Sequence, residues 1–320
     1  MARLIFALLL LCAAIGHAQA QAWPAKPVKL IVPTPSGTPP ELIGRLAGDR
    51  LTKMLGQSFY VESIAGAGGL IASQTAARAA PDGYTLYVAG TGALITDRYT
   101  VKSLNYDPDR DFALVSMVYE EGSLAIAVHP DLPARNLSEL IAIAKQQPGK
   151  LSYGVVSVAL LEIFGKWLEK RAAIDIVAVP YKSLAQQLQD NVAGRLQISI
   201  SAPPQFEPFV KAGKLRVIAV DGSRRSPIMP DVPLISESLS GFKMSGMAIL
   251  AAPRATPTGL VQTLNRAMDK VVTDPEYVQR LLAMGFMVNG AGTPQSLAEF
   301  LRERREYWDG VMKALNVQPQ

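Results

Sequence analysis

Short apolar runs rich in valine and isoleucine alternate with helix-length amphipathic segments along nearly the whole chain. That rhythm restricts the fold more than any other feature, because parallel strands joined by helices make an α/β sheet. VKLIVP (28–33) reads as a strand, and residues 42–55 read as a helix stopped by Gly56. SFYVES (58–63), a glycine turn, a helix through Ala80, a Pro81-Asp82-Gly83 turn and the strand TLYVAG (85–90) complete β-α-β-α-β, half of a doubly wound sheet.

A second series has its own strands, LSYGVV (151–156), DIVAVPYK (175–182), LQISIS (196–201) and LRVIAV (215–220), with helices between them. It is flanked by two similar segments, LAIAVHPDLP (124–133) and MAILAAPRATP (247–257), each an apolar run cut off by proline and followed by a helix. The chain is therefore expected to leave a first domain through one segment and return through the other. This predicts two lobes, each a doubly wound sheet: residues 24–124 plus 251–320, and residues 125–250. The two hinge crossings would lie near Leu124–His129 and Met247–Ala251. Leu260, Leu264 and Met268, then Leu297, Phe300, Leu301, Trp308, Val311 and Leu315, form apolar helix faces that read as scaffold, with Thr293 and Pro294 as N-cap and first helical residue.

Residues 1–22, MARLIFALLLLCAAIGHAQAQA, have a basic start, an apolar run too short to span a bilayer, and small residues at Ala18, Ala20 and Ala22. They read as a secretory signal peptide cleaved after Ala20 or Ala22, and Cys12 as part of what is removed. The exported chain then has no cysteine, hence no disulfide and no thiol nucleophile, and its core alone must stabilise it. Lysine and arginine exceed aspartate and glutamate by 32 − 27 = 5, and the basic residues are scattered or alternate with acids, as in Arg302, Glu303, Arg304, Arg305 and Glu306. Nucleic-acid binding is not expected.

Catalytic inventory is thin. Beyond the leader the chain has one histidine, His129, in a Val-His-Pro at a strand end, and no serine-hydrolase, zincin or P-loop pattern. GAGGLIAS (66–73) opens a helix after a strand, but it lacks the third glycine of a dinucleotide fingerprint and the lysine of a phosphate loop. Tight turning and close helix packing account for its glycines. No cofactor and no metal are expected.

The run ESIAGAGGLIASQTAARAAPDGYTLYVAGTG (62–92) resembles the E-N-x-x-G-A-G-G…A-x-A-x-P-D-G-Y-T-L signature of the tripartite tricarboxylate transporter receptors, the Bug family of periplasmic solute-binding proteins. The resemblance continues through YDPDRDFALVSMV, VHPDLPARNLSELIAIAKQQPGKLSYG, VPYK, AGKLRVIAV, MPDVPLISE and LAAPRATP, nearly the whole exported chain. It implies a two-lobed (type II-like) periplasmic binding protein without enzymatic activity. Such a monomer closes on a small organic acid and delivers it to membrane permease subunits.

Carried over residue by residue, the resemblance puts a first binding loop on Pro35, Ser36, Gly37 and Thr38, with Glu41 where an aspartate is usual, and a second on Gly90, Thr91 and Gly92. From the other lobe it implies the loop after Tyr153 including Val156, Ser157 and Val158, the turn at Tyr181 and Lys182, and Ser201 with Ala202. Packing, solvation or helix capping would equally explain Tyr181, Lys182 and Thr91 taken singly.

Two departures from the family pattern bear on the ligand. Pro39 and Pro40 have no N–H to offer an anion, and GVVSVALLE (154–162) is apolar where relatives carry Gly, Ser, Thr and Asn. The expectation is a less charged ligand, such as a monocarboxylate with an apolar or aromatic body. The alternatives are a sensor that reports to a signalling partner and an exported carboxylate-based hydrolase or lyase using Glu41 or Glu162.

Overall fold

The computed structural model describes residues 23–156, 159–226 and 228–319. The leader, Ser157 and Val158 lie outside the described residues. Two mixed sheets are present, each covered by helices, and the strands expected from the sequence supply most of them.

The first sheet contains β1 (Val28–Val32), β2 (Phe59–Ser63), β3 (Thr85–Gly90), β4 (Phe112–Gly122), β10 (Gly246–Pro253) and β11 (Phe286–Met287), in the order β11-β4-β10-β3-β1-β2. β1 runs parallel to β2 and β3, while β10 is antiparallel to both β3 and β4. β1 is apolar because it is central: Val28, Leu30, Ile31 and Val32 are all buried, as expected of a parallel strand with both faces covered. Helix α1 (Pro39–Leu55) starts with two prolines where helical N–H groups have no partner anyway, and ends at Gly56, whose φ of 73° lets its N–H close on Thr52 O. Helices α2 (Leu70–Ala77) and α3 (Asp97–Thr100) follow along the chain.

The second sheet contains β5 (Ala125–Val128), β6 (Ser152–Val156), β7 (Val177–Tyr181), β8 (Ile198–Ser201) and β9 (Arg216–Val220), in the order β7-β6-β8-β5-β9. β6, β7 and β8 are parallel, and β5 is antiparallel to β8 and β9. Its helices are α4 (Leu137–Gln146), α5 (Ala159–Ala172), α6 (Leu184–Val192), α7 (Pro203–Lys211) and α8 (Ile235–Ser238). Gly165 lets α5 lie on the sheet, since a Cβ there would meet the Tyr153 ring at 2.2 Å.

Helices α9 (Thr258–Val272), α10 (Pro275–Ala283) and α11 (Pro294–Ala314) complete the chain. Thr293 caps α11 as expected, accepting the Ser296 N–H at 3.1 Å while Ser296 Oγ accepts the Thr293 N–H at 2.8 Å. Trp308, fully buried, anchors α11 in the core.

Two features differ from the sequence reading. The sheets are mixed, because β5 and β10 each run against their neighbours. The chain also passes between sheets at other points than the two strand-proline segments suggest. β5 lies wholly in the second sheet and β10 wholly in the first, so the crossings are residues 123–124 and, after α8, residues 239–245. The partner of β10 is β4, a strand whose charged end, Tyr-Glu-Glu-Gly, looks like surface in the sequence.

Candidate functional site

Strand direction decides which loops meet. In open α/β sheets, ligands bind beyond the carboxyl ends of the strands. In the first sheet those ends are the loops after β1, β2 and β3; in the second, the loops after β6, β7 and β8. Gly122 at the end of β4 pairs with Gly246, and Ala125 at the start of β5 pairs with Ser201. Three extended residues span at most about 10 Å, so the short crossing holds the carboxyl ends of both sheets together. Every described residue expected to bind ligand lies at one of these ends.

The two sides meet beside Gly246. A Cβ on Gly246 would lie 3.8 Å from Thr91 Oγ1 and 3.7 Å from Leu160 Cδ2. Leu160, in the first turn of α5, thus reaches the seam where β3 ends and β10 begins. Thr91 is buried, and its hydroxyl accepts the Met247 N–H at 3.0 Å, leaving its own proton to donate. It precedes a π-helical turn, Gly92–Thr96, a form that recurs at functional sites. Tyr106 steadies this turn, with its hydroxyl 2.9 Å from both Ala93 O and Asp97 Oδ2. Burial pushes the Asp97 carboxyl above the ordinary carboxylate range, against the opposing effect of the Tyr106 bond.

The loop after β1 is satisfied from within. Pro35 O accepts the Thr38 hydroxyl at 2.7 Å, and Ser36 Oγ lies 3.3 Å from Ser63 Oγ. Gly37, in the left-handed region at φ 83°, donates its N–H to Glu41 Oε2 at 3.1 Å. Glu41 is buried at 1% exposure, and its other oxygen pairs with Arg45. The helix's own carboxylate therefore occupies the donor that an incoming anion would want, and Pro39 and Pro40 have none to add.

On the second sheet, Val156 is half-buried, and Val155, Leu160 and Leu161 pack against the main core. Tyr181 donates its hydroxyl to Asp190 Oδ2 at 2.9 Å, within its own sheet layer, whereas Lys182 is exposed. Ser201 is buried, and Ala202 is the N-cap of α7. Gly122, Gly246 and Leu160 also lie at this seam; the paired glycines become visible as part of it only once the strand pairing is known.

The rival catalytic residues do not come together as a pair. Glu41 is engaged as above, and Glu162 pairs with Lys166 at 2.7 Å on a groove of about 350 Å³ between α5 and residues 315–318. His129 accepts the Asp131 N–H at Nδ1 (3.3 Å), a turn contact.

Two α/β sheets joined by paired crossings, with their carboxyl ends gathered at one seam, define a two-lobed periplasmic binding protein. The sequence profile of the tripartite tricarboxylate transporter family receptor matches residues 43–317, and the chain belongs to that family. It is 34% identical over 318 residues to a UPF0065 protein of Bordetella bronchiseptica, covering 99% of this chain and 93% of the relative. Among solved structures it resembles a periplasmic transporter protein (32% identity, TM-score 0.79, 93% of this chain and 99% of the other). It also resembles Rpa4515 of R. palustris with adipate (30%, TM-score 0.81, 93% and 100%) and MatC of Rhodopseudomonas palustris with bound malate (29%, TM-score 0.74, 90% and 99%). Membership makes the chain a solute receptor of a transport system and not an enzyme.

Proposed function

We propose that this receptor captures a small monocarboxylate with an apolar body at the seam between two lobes and presents it to permease subunits in the membrane. The lobes are residues 23–122 with 246–319, and residues 125–238, with 239–245 leading the chain back. Residues 1–22 act as the leader that directs the chain to the periplasm, where it works as a monomer. The related structures with adipate and malate hold dicarboxylates. In this chain the first loop has few groups to hold a second charge, since Pro39 and Pro40 carry no N–H.

The observation that carries the reading is the Gly37 N–H bonded to Glu41, followed after Thr38 by Pro39 and Pro40. Each charge-assisted hydrogen bond denied to a ligand carboxylate weakens binding by about 1.5–3 kcal/mol. Apolar surface at Val156 and Leu160 favours a hydrophobic body by about 25 cal/mol per Å² buried. Thr91, Ser201 and Lys182 are enough to orient one carboxylate.

Calorimetry with succinate, adipate, glutamate, benzoate and nicotinate tests this, with Pro39→Gly/Pro40→Gly as the paired probe. Benzoate or nicotinate should bind at least about tenfold more tightly than the diacids. The glycine variant should gain diacid affinity. Tight succinate or adipate binding, unchanged by the glycines, would show that this loop does not select the ligand.

A further inference from the structure

The crossings carry a buried ionic cluster that ligand capture does not use. Asp221, the residue after β9, is 1% exposed. Its N–H donates to Leu124 O at 2.6 Å and its Oδ2 accepts the Met244 N–H at 2.9 Å, so it ties both crossings together; Oδ1 has no protein partner among the described residues. Glu121, buried near the end of β4, accepts the Ser223 N–H at 2.6 Å and the Ser223 hydroxyl at 2.7 Å. A Cβ at residue 222 would fall 2.4 Å from Glu121 Oε1, so the close approach requires Gly222.

A buried cation faces these two acids. Arg304, on α11, is 5% exposed, and its Nε and Nη1 have no hydrogen-bond partner among the described residues, while Nη2 reaches Glu120 O at 3.4 Å. The other charged or titratable groups around Asp221 and Arg304 are Lys243 and Glu120 near the surface and Tyr307 on α11. Two carboxylates against one buried guanidinium leave one negative charge in excess, and an uncompensated buried charge is expensive. A proton on Asp221 removes it.

We propose that the two crossings share a proton-binding site, Asp221 between Glu121 and Arg304, and that the packed arrangement of the lobes is coupled to its occupancy. The coupling follows from where the residues are attached. Asp221 ends a strand of the second sheet, Glu121 ends a strand of the first, and Arg304 belongs to the first lobe's terminal helix. Rotation about the crossings separates them and lets water reach the carboxyl.

Burial pushes the Asp221 carboxyl up to about 7, opposed by the Met244 N–H and reinforced by Glu121. A hydrated aspartate titrates near its ordinary value of about 3.9. Below the lower value both arrangements hold the proton and neither is favoured by it. Above about 7 neither holds it, and the packed arrangement bears the whole penalty of a buried charge. The packed form is therefore favoured on the acid side and loses ground as pH rises to 7. Each unit of difference between the two arrangements is a factor of ten in their ratio.

The inference rests on the two lobes and their crossings, not on which acid is captured, and it is tested without ligand. Small-angle scattering of the exported chain, titrated from about pH 4 to about pH 8, should show the radius of gyration rising below about 7 and level above it. Asp221→Asn, neutral and of the same shape, should stay compact throughout. Glu121→Gln, which removes the neighbouring negative charge, should reduce the extent of the expansion and level it off at lower pH, and keeps the test open if the Asn variant fails to fold. A pH-independent wild type, the same expansion in Asp221→Asn, or an undiminished expansion in Glu121→Gln would overturn the proposal.

Discussion

Glu41→Ala probes whether the first loop is held by an internal stand-in for a ligand's carboxylate. Glu41 lies in the first turn of α1, where the helix dipole favours a negative charge, and it bonds Gly37 N–H and Arg45. A hydrogen bond to a charged acceptor contributes about 1.5–3 kcal/mol. The low end applies, because Gly37 is exposed and water can take over its N–H. The Arg45 side chain is 53% exposed, so its ion pair adds about 0.5 kcal/mol or less. Removing a buried methylene adds about 0.8 kcal/mol. Relief of the carboxylate's desolvation subtracts from the sum, leaving about 2 kcal/mol of destabilisation, or about 4 °C in Tm for a chain of this size.

Urea unfolding at neutral pH should therefore show a lower midpoint with an unchanged slope, and Glu41→Gln should fall between wild type and the alanine variant. Added acetate should raise the midpoint of the alanine variant more than that of wild type, because only the variant leaves Gly37 N–H and Arg45 free to bind it. A destabilisation below about 0.5 kcal/mol, the level of an ordinary surface change, together with no acetate effect, would refute the reasoning.

Two further substitutions test the seam and the core. Thr91→Val should destabilise by about 1–3 kcal/mol by leaving the buried Met247 N–H without an acceptor, and Thr91→Ser should restore most of it; equal unfolding midpoints for the two variants would contradict the contact. Trp308→Ala should cost about 3–5 kcal/mol. Trp308→Phe should cost much less, because it also removes a buried indole N–H that has no partner among the described residues, and comparable destabilisation in the two would place the energy elsewhere than in packing.

What is legible in the sequence is whatever local chemistry decides. VKLIV announces a buried strand, Gly56 a helix stop, and Thr293-Pro294 a helix start. The loops expected to bind ligand are named by the family resemblance and not by local chemistry; that they share one end of each sheet shows only in the strand directions. Contacts between distant segments are not legible. Glu120-Glu121-Gly122 looks like solvated chain, yet Glu121 is buried because Ser223, 102 residues later, supplies two donors. Asp221 after VIAV looks like the start of an exposed turn and is instead enclosed by both crossings and α11. The crossing points differ from the sequence expectation for a related reason: proline marks where a strand ends, whereas the sheet a strand joins is set by its neighbours.

The prolines of the first loop make sense once Glu41 is seen beside them. A helix start offers an anion its dipole and its free N–H groups. In α1 the dipole is already met by Glu41, Gly37 N–H is bonded to the same carboxylate, and the first two helical residues have no N–H. Proline therefore costs this helix nothing that Glu41 has not already taken, and its fixed φ stiffens the entry. On the proposed reading, the anionic end of a ligand is directed away from α1, towards Thr91 and exposed Lys182, with Val156 and Leu160 left to meet an apolar body.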